Sequence, residues 1–193
     1  MKLDLRYREG QFTPSETMAI TGVALHLQRD WRSQGLLRPR EGGRASFSPR
    51  ELAEMRLMVK LRTLGLPLVE ARCVAEEAAP GVVFAALANE PKKALVIEGS
   101  DDQASAYRAA LEQEADENYL LLLADLPTMQ HVYKYALVEN GKCHLLKTLD
   151  EDAMDDDAEV AGLINLWAIA RAIVGEIPRP LFTLIVPRNF RTA

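Results

Sequence analysis

The side chains best suited to chemistry gather in the first third of the chain. Gln28, Arg29 and Arg32 stand close together, with His26 just ahead of them. Arg38, Arg40 and Arg44 surround the glycine pair Gly42-Gly43, and Arg50 follows. Arg and Gln each present two polar groups in one plane, which is what bidentate pairing with guanine or adenine edges requires. Arginines grouped around a turn suit phosphate oxygens, whose contacts fix register and make affinity salt-dependent. Thr13 and Ser48 open helices and would offer backbone N–H groups to phosphates.

The elements that must position these residues are legible from punctuation. Thr13-Pro14-Ser15-Glu16 predicts a cap, a proline at the first helical position and a Glu three residues after the cap. That helix is brief, ended by Thr21-Gly22. A second runs from about Ala24 to Gln34, with Leu27 and Trp31 on one face and Gly35 as its stop. Helix, glycine-containing turn and helix make a helix-turn-helix outline. Extended pieces on either side of Gly42-Gly43 predict a hairpin, or wing. Ser48-Pro49-Arg50-Glu51 caps a third helix carrying Leu52, Met55, Met58, Val59 and Leu61. After Leu64-Gly65 a fourth begins at Pro67.

Several of these pieces, in this order, resemble the winged DNA-binding domain of MerR-type transcription regulators. They are Phe12-Thr13 with Glu16, Thr21-Gly22-Val23, Arg29, Gly35-Leu36-Leu37-Arg38-Pro39, Gly43-Arg44, Phe47-Ser48, Leu52 with Leu57, and the joint Leu61–Glu70. Arg29-Asp30-Trp31-Arg32 resembles a divergent branch of that family, with Asp30 where an aromatic is usual. The resemblance covers residues 12–74, about a third of the chain. It implies double-stranded DNA as partner, a homodimer on a palindrome, and promoter distortion as the regulatory act. DNA contacts are expected from Thr13, His26, Gln28, Arg29, Arg32, Arg38, Arg40, Arg44 and Arg50. Trp31 is read as core, and Arg56, Lys60 and Arg72 as solvated helix faces, with Glu54 and Glu76 at pairing distance of Arg50 and Arg72.

The remainder is patterned differently. Relatives follow the fourth helix with a long dimerisation helix, but here Ala79-Pro80-Gly81 interrupts, and Val82–Asn89 offers only two helical turns before Pro91. A strand is expected at Ala94–Ile97 and a helix at Asp101–Glu114; Tyr119–Ala124 reads as either a strand or an extension of that helix, length and punctuation favouring the strand. His131–Val138 and Cys143–Leu149 flank Asn140-Gly141, a strong hairpin signal. Seven acids in the ten residues Asp150–Glu159 precede an expected helix from Ala158 to Gly175, with Val160, Leu163, Ile164, Trp167 and Val174 as its stripe. Leu181–Val186 reads as a last strand. The acidic run lacks the spacing and glycine of a calcium loop. No phosphate loop, nucleophile elbow or metal motif is present, so neither an enzyme nor a cofactor or metal is expected. Trp167 could line a ligand pocket, with core packing as the plainer reading.

Charge divides along the same line. Residues 1–75 hold 13 basic and 8 acidic residues, net +5; residues 76–193 hold 10 and 20, net −10. Such a split points to a nucleic-acid-binding part joined to a partner-binding part, such as one docking on RNA polymerase. Met1–Gly10 has no apolar core for a signal peptide, no run could span a membrane, and Cys73 and Cys143 form no metal pattern. A cytoplasmic location follows as an expectation. The expected fold class is α+β: a winged helix-turn-helix domain (1–78), a short helical connector (79–92) and a mixed α/β domain with a largely antiparallel sheet (93–193) for effector binding or dimerisation.

Overall fold

The computed structural model of the chain describes residues 6–39, 45–99, 102, 105, 106, 109, 117–149 and 161–186. The wing hairpin, with Arg40 and Arg44, lies outside the described residues. So do the acidic run Asp150–Glu159 and most of the helix expected at Asp101–Glu114, of which Asp102, Ser105, Ala106 and Ala109 are described and helical.

The chain begins with strand β1 (Arg6–Glu9). Helix α1 (Pro14–Thr21) then starts on the expected capping box, Thr13 with Glu16, and ends at Gly22, whose φ of 78° is the left-handed value glycine favours. Val23 is buried in the turn, and α2 (Leu25–Ser33) follows. Helix α3 (Pro49–Thr63) carries the second expected capping box, Ser48 with Glu51. Leu52, Met55, Leu57, Met58 and Leu61 are all fully buried. α3 packs most extensively on helix α4 (Leu68–Asn89).

α4 corrects the expected interruption at Pro80. The helix runs through it unbroken, and the boundary expected between residues 78 and 79 falls inside it. Proline has no N–H, so the carbonyl of Glu76, four residues back, loses its helical donor. Arg50 Nη2 donates to that carbonyl at 3.2 Å. Every residue from Ala78 to Leu87 is buried, so this half of the helix is enclosed by its own chain. At Gly81 the backbone of His131, Val132 and Tyr133 lies so that an added Cβ would make ordinary van der Waals contact with it.

A helical turn, α5 (Pro91–Ala94), leads into β2 (Leu95–Glu98). Tyr119–Ala124, for which strand was favoured over helix, lies in and just after helix α6 (Glu117–Leu123). Its leucine run has no period of its own, and packing against α4 selects the helix. β3 (Tyr135–Glu139) and β4 (Lys142–Leu146) form the expected hairpin, with Asn140 (φ 49°) and Gly141 (φ 74°) giving the paired positive φ of a type I′ turn. His131 is not on the hairpin: it sits in a 3-10 turn, Met129–His131, bonded to Thr128.

The helix expected from Ala158 is instead a strand followed by a helix, β5 (Ala161–Asn165) and α7 (Leu166–Glu176). Asn165 makes the switch, its side chain accepting from Ala168 N–H at 3.1 Å. Leu163 thus points outward and is exposed, while Ile164 and Val174 are buried and Trp167 is half-buried. β6 (Phe182–Ile185) is the expected last strand.

The strands form two sheets. β3 is central in one, antiparallel to both β4 and β5. β6 is central in the other, antiparallel to β1 and parallel to β2. The fold is α+β with largely antiparallel pairing. Because β1 precedes the helix-turn-helix and β6 ends the described chain, the N-terminal helices are tied at their root to the C-terminal sheet. Buried side chains from Phe12 to Val186 belong to one contiguous core, and α7 packs on α1, α3 and α4.

Candidate nucleic-acid interface

α2 presents two faces. His26, Arg29, Asp30 and Ser33, at helical positions i, i+3, i+4 and i+7, are all exposed. Gln28 and Trp31 are buried behind them, Trp31 in the core as its spacing implied. The N-terminus of α2, at Ala24, carries no side-chain cap. Leu27, expected to join Trp31 on the apolar face, is more than a third exposed instead.

The burial of Gln28 changes its part. Its amide nitrogen donates to the carbonyls of Pro14 at 3.0 Å and Val23 at 2.8 Å. The donors a base edge would need are spent bracing α2 against the start of α1 and the intervening turn. Arg32 is likewise half-buried. Its guanidinium carbon lies 4.6 Å from the centre of the Phe47 ring, and one nitrogen lies 3.8 Å from Glu51. It ties α2 to the returning end of the wing and to α3.

Arg50 departs furthest from the expected phosphate contact. Nε bonds Glu54 at 3.0 Å, Nη1 bonds Asp125 at 3.1 Å, and Nη2 bonds the Glu76 carbonyl. One guanidinium joins α3, α4 and the turn after α6. Glu54, on which it acts, is 7% exposed, and burial holds its pKa above 4.5 despite the bond and charge of Arg50. Arg72 pairs with Glu76 at 3.2 Å as expected, and its Nε also donates to Leu36 at the root of the wing. Arg56, expected on a solvated face, is half-buried and donates to the carbonyl of Ile20 at the end of α1. Burial lowers its pKa, a nearby Glu176 opposing.

Thr13 is spent in its own cap. Its N–H donates to Glu16 at 2.8 Å, and its hydroxyl accepts from the Glu16 N–H at 3.3 Å. At the starts of α1 and α3 the amides of Thr13, Glu16, Ser48 and Glu51 are thus answered internally. Arg38 is exposed at the outgoing root of the wing, and the returning end is pinned by the Phe12–Phe47 bridge. Of the expected contact residues that are described, Thr13, His26, Arg29 and Arg38 are exposed, and all but Thr13, which is engaged in its cap, point outward without such a tie. Ser33 completes the α2 stripe and was missed, although its spacing of seven from His26 marks it.

Among the described residues no group of three His, Cys, Asp or Glu side chains could hold a metal ion, and no helix is long and apolar enough to cross a membrane.

An exposed second helix set by a glycine turn, followed by a pinned wing root, defines the surface of a helix-turn-helix DNA-binding regulator. Residues 12–78 match the MerR HTH family regulatory protein, and this segment is accordingly a MerR-type helix-turn-helix unit. None of the curated proteins matches the chain.

Proposed function

We propose that the chain is a sequence-specific transcription regulator that acts as a homodimer on a promoter palindrome. The observation that carries this reading is the outward stripe of α2, centred on Arg29, in a segment of MerR type. In helix-turn-helix proteins the second helix enters the major groove and the first crosses the backbone. Arg29 is then the base-reading side chain, His26 and Ser33 lie beside it, and Arg38 with Arg40 and Arg44 supplies phosphate contacts from the wing. Promoter distortion is the regulatory act the family resemblance brings with it. A location in the cytoplasm, where promoter DNA is reached, belongs to the same reading.

The enclosed second half of α4 bears on symmetry. A homodimer of this chain uses a surface other than that stretch, and the expected C-terminal effector or dimerisation part, residues 93–193, supplies it. A second reading has the net −10 of residues 76–193 in its favour: the acidic part docks on RNA polymerase while the N-terminal part only anchors it to DNA. Capture of RNA polymerase by the full chain in the absence of DNA would favour that reading.

The test of the leading reading is Arg29→Ala in mobility-shift titration on a selected operator. Specific binding should fall by roughly 10- to 100-fold, the cost of one bidentate pair, while the melting temperature stays within a degree or two. Unchanged binding would remove Arg29 from the reading face.

A further inference from the structure

The loop between α7 and β6 reaches the helix-turn-helix from outside the family-matched segment. Its sequence is Ile177-Pro178-Arg179-Pro180, two prolines restricting the backbone around one arginine. The loop is seated tightly. Gly10 N–H donates to the Leu181 carbonyl at 2.6 Å, and a Cβ on Gly10 would stand 2.5 Å from the Pro180 carbonyl oxygen. Arg179 Nη1 donates to the Gln11 carbonyl at 3.0 Å, its Nη2 pairs with Glu16 Oε1, and its guanidinium carbon lies 5.9 Å from the Phe12 ring centre.

Phe12 and Glu16 belong to the family-matched segment, and Gly10 and Gln11 lead directly into it. Glu16 is the capping-box carboxylate of α1, whose other oxygen holds Thr13. Gln11 accepts through its side chain from the Ser46 hydroxyl at 2.9 Å, and Phe12 bridges Phe47, so two of the three residues that Arg179 engages hold the returning end of the wing. A negative charge at the start of the helix that crosses the DNA backbone would repel phosphate, and here an arginine of the C-terminal part balances it.

We propose that Arg179 is a positioning residue for DNA binding: it neutralises Glu16 at the start of α1 and holds the backbone of Gln11, whose side chain accepts from Ser46 at the end of the wing. It acts through Glu16 and does not itself touch DNA. This rests on the DNA-binding reading above. It also makes the C-terminal sheet, through β6 and this loop, a direct determinant of affinity.

The charge can be separated from the cap, because Gln serves the third position of a capping box as Glu does. The full-length protein and the variants Arg179→Ala, Arg179→Lys, Glu16→Gln and the Arg179→Ala/Glu16→Gln double are titrated on one selected duplex, below the melting temperature of every variant. Arg179→Ala is expected to bind about five- to tenfold more weakly at 0.1 M salt, as for an unbalanced charge near phosphate. Arg179→Lys, which keeps the charge, should retain most of the affinity, and the double variant should return to within about twofold of the unmodified protein. A double variant as weak as Arg179→Ala, with a salt slope lower by about one, would mean that Arg179 meets a phosphate directly and overturns the proposal. Arg179→Ala that melts lower but binds equally well assigns it a purely structural role and overturns it too. An unmodified protein that binds no duplex specifically overturns the DNA-binding reading itself, which the first titration reveals.

Discussion

Arg50 allows the sharpest separation between a DNA contact and a structural joint. Replacing it by Ala leaves Glu54 almost fully buried without its ion-pair partner, and leaves the Glu76 carbonyl facing the gap made by Pro80. Removing one member of a buried pair costs about 3–5 kcal/mol. The Arg50 side chain is 24% exposed, so water entering its place recovers part of this. Asp125 is 82% exposed and adds little. With about 1 kcal/mol for the carbonyl bond, the net cost is about 3 kcal/mol at neutral pH. Burial already raises the pKa of Glu54, and the bond and charge of Arg50 are among the influences that lower it. A carboxyl whose folded pKa exceeds its unfolded value gives stability that is full below about 4.5 and declines as pH climbs to the folded pKa. Without Arg50 that window extends upward, so the difference between the two proteins should be largest near pH 7 and shrink toward pH 5. Urea unfolding followed by tryptophan fluorescence at the two pH values measures it. A difference below about 1 kcal/mol, or one that grows toward acid, would refute the joint; a large loss of DNA affinity at unchanged stability would return Arg50 to the phosphate contacts.

Three further outcomes follow from the same geometry. Gln28→Leu should cost about 1–3 kcal/mol in urea unfolding, because two carbonyls lose their donor, and loss of operator specificity at unchanged stability would instead make Gln28 a base reader. Gly10→Ala should destabilise by about 2 kcal/mol or more, since the obstruction is backbone and cannot swing aside, and a melting temperature equal to that of the parent would contradict the seating of the Pro180 loop. Cys143 has its pKa pushed up to about 11 by burial, with Glu77 adding to the effect, so at pH 8 only about a thousandth of it is thiolate. A disulfide reagent should modify exposed Cys73 first and reach Cys143 only on unfolding; equal rates at both would show Cys143 more open than described.

The N-terminal elements were legible because their signals are local. A capping box, a proline at the first helical position, a glycine at positive φ and an Asn-Gly turn each act within a few residues, and each stands where the sequence puts it. What was not legible depends on distant partners. Pro80 reads as a break until Arg50 is seen donating to the carbonyl it frees, 26 residues along the chain from that arginine. The leucine run after Asn118 has no period to distinguish strand from helix, and its packing on α4 decides. Asn165 inside an apolar stretch hid a change from strand to helix. The candidate surface shows the same limit. Residue type marked Gln28, Arg32 and Arg50 as readers of nucleic acid, but burial and partners turn all three inward, whereas Arg29 and Arg38 remain outward. Arg179 carried no signal at all, because its role comes from a loop that returns to α1 across nearly the whole sequence.

The central claim is that the outward stripe of α2 reads a defined DNA sequence. The most direct measurement is selection of bound duplexes from a random pool by the purified full-length protein, with the winners re-measured between 50 and 200 mM salt, a range over which about 6–10 phosphate contacts would weaken binding roughly 10³- to 10⁵-fold. A palindromic consensus that outcompetes random duplex at every salt concentration, with affinity falling steeply as salt rises, is the predicted result. Weak binding of the same strength to every duplex, with no consensus and complete loss at the higher salt, would contradict it.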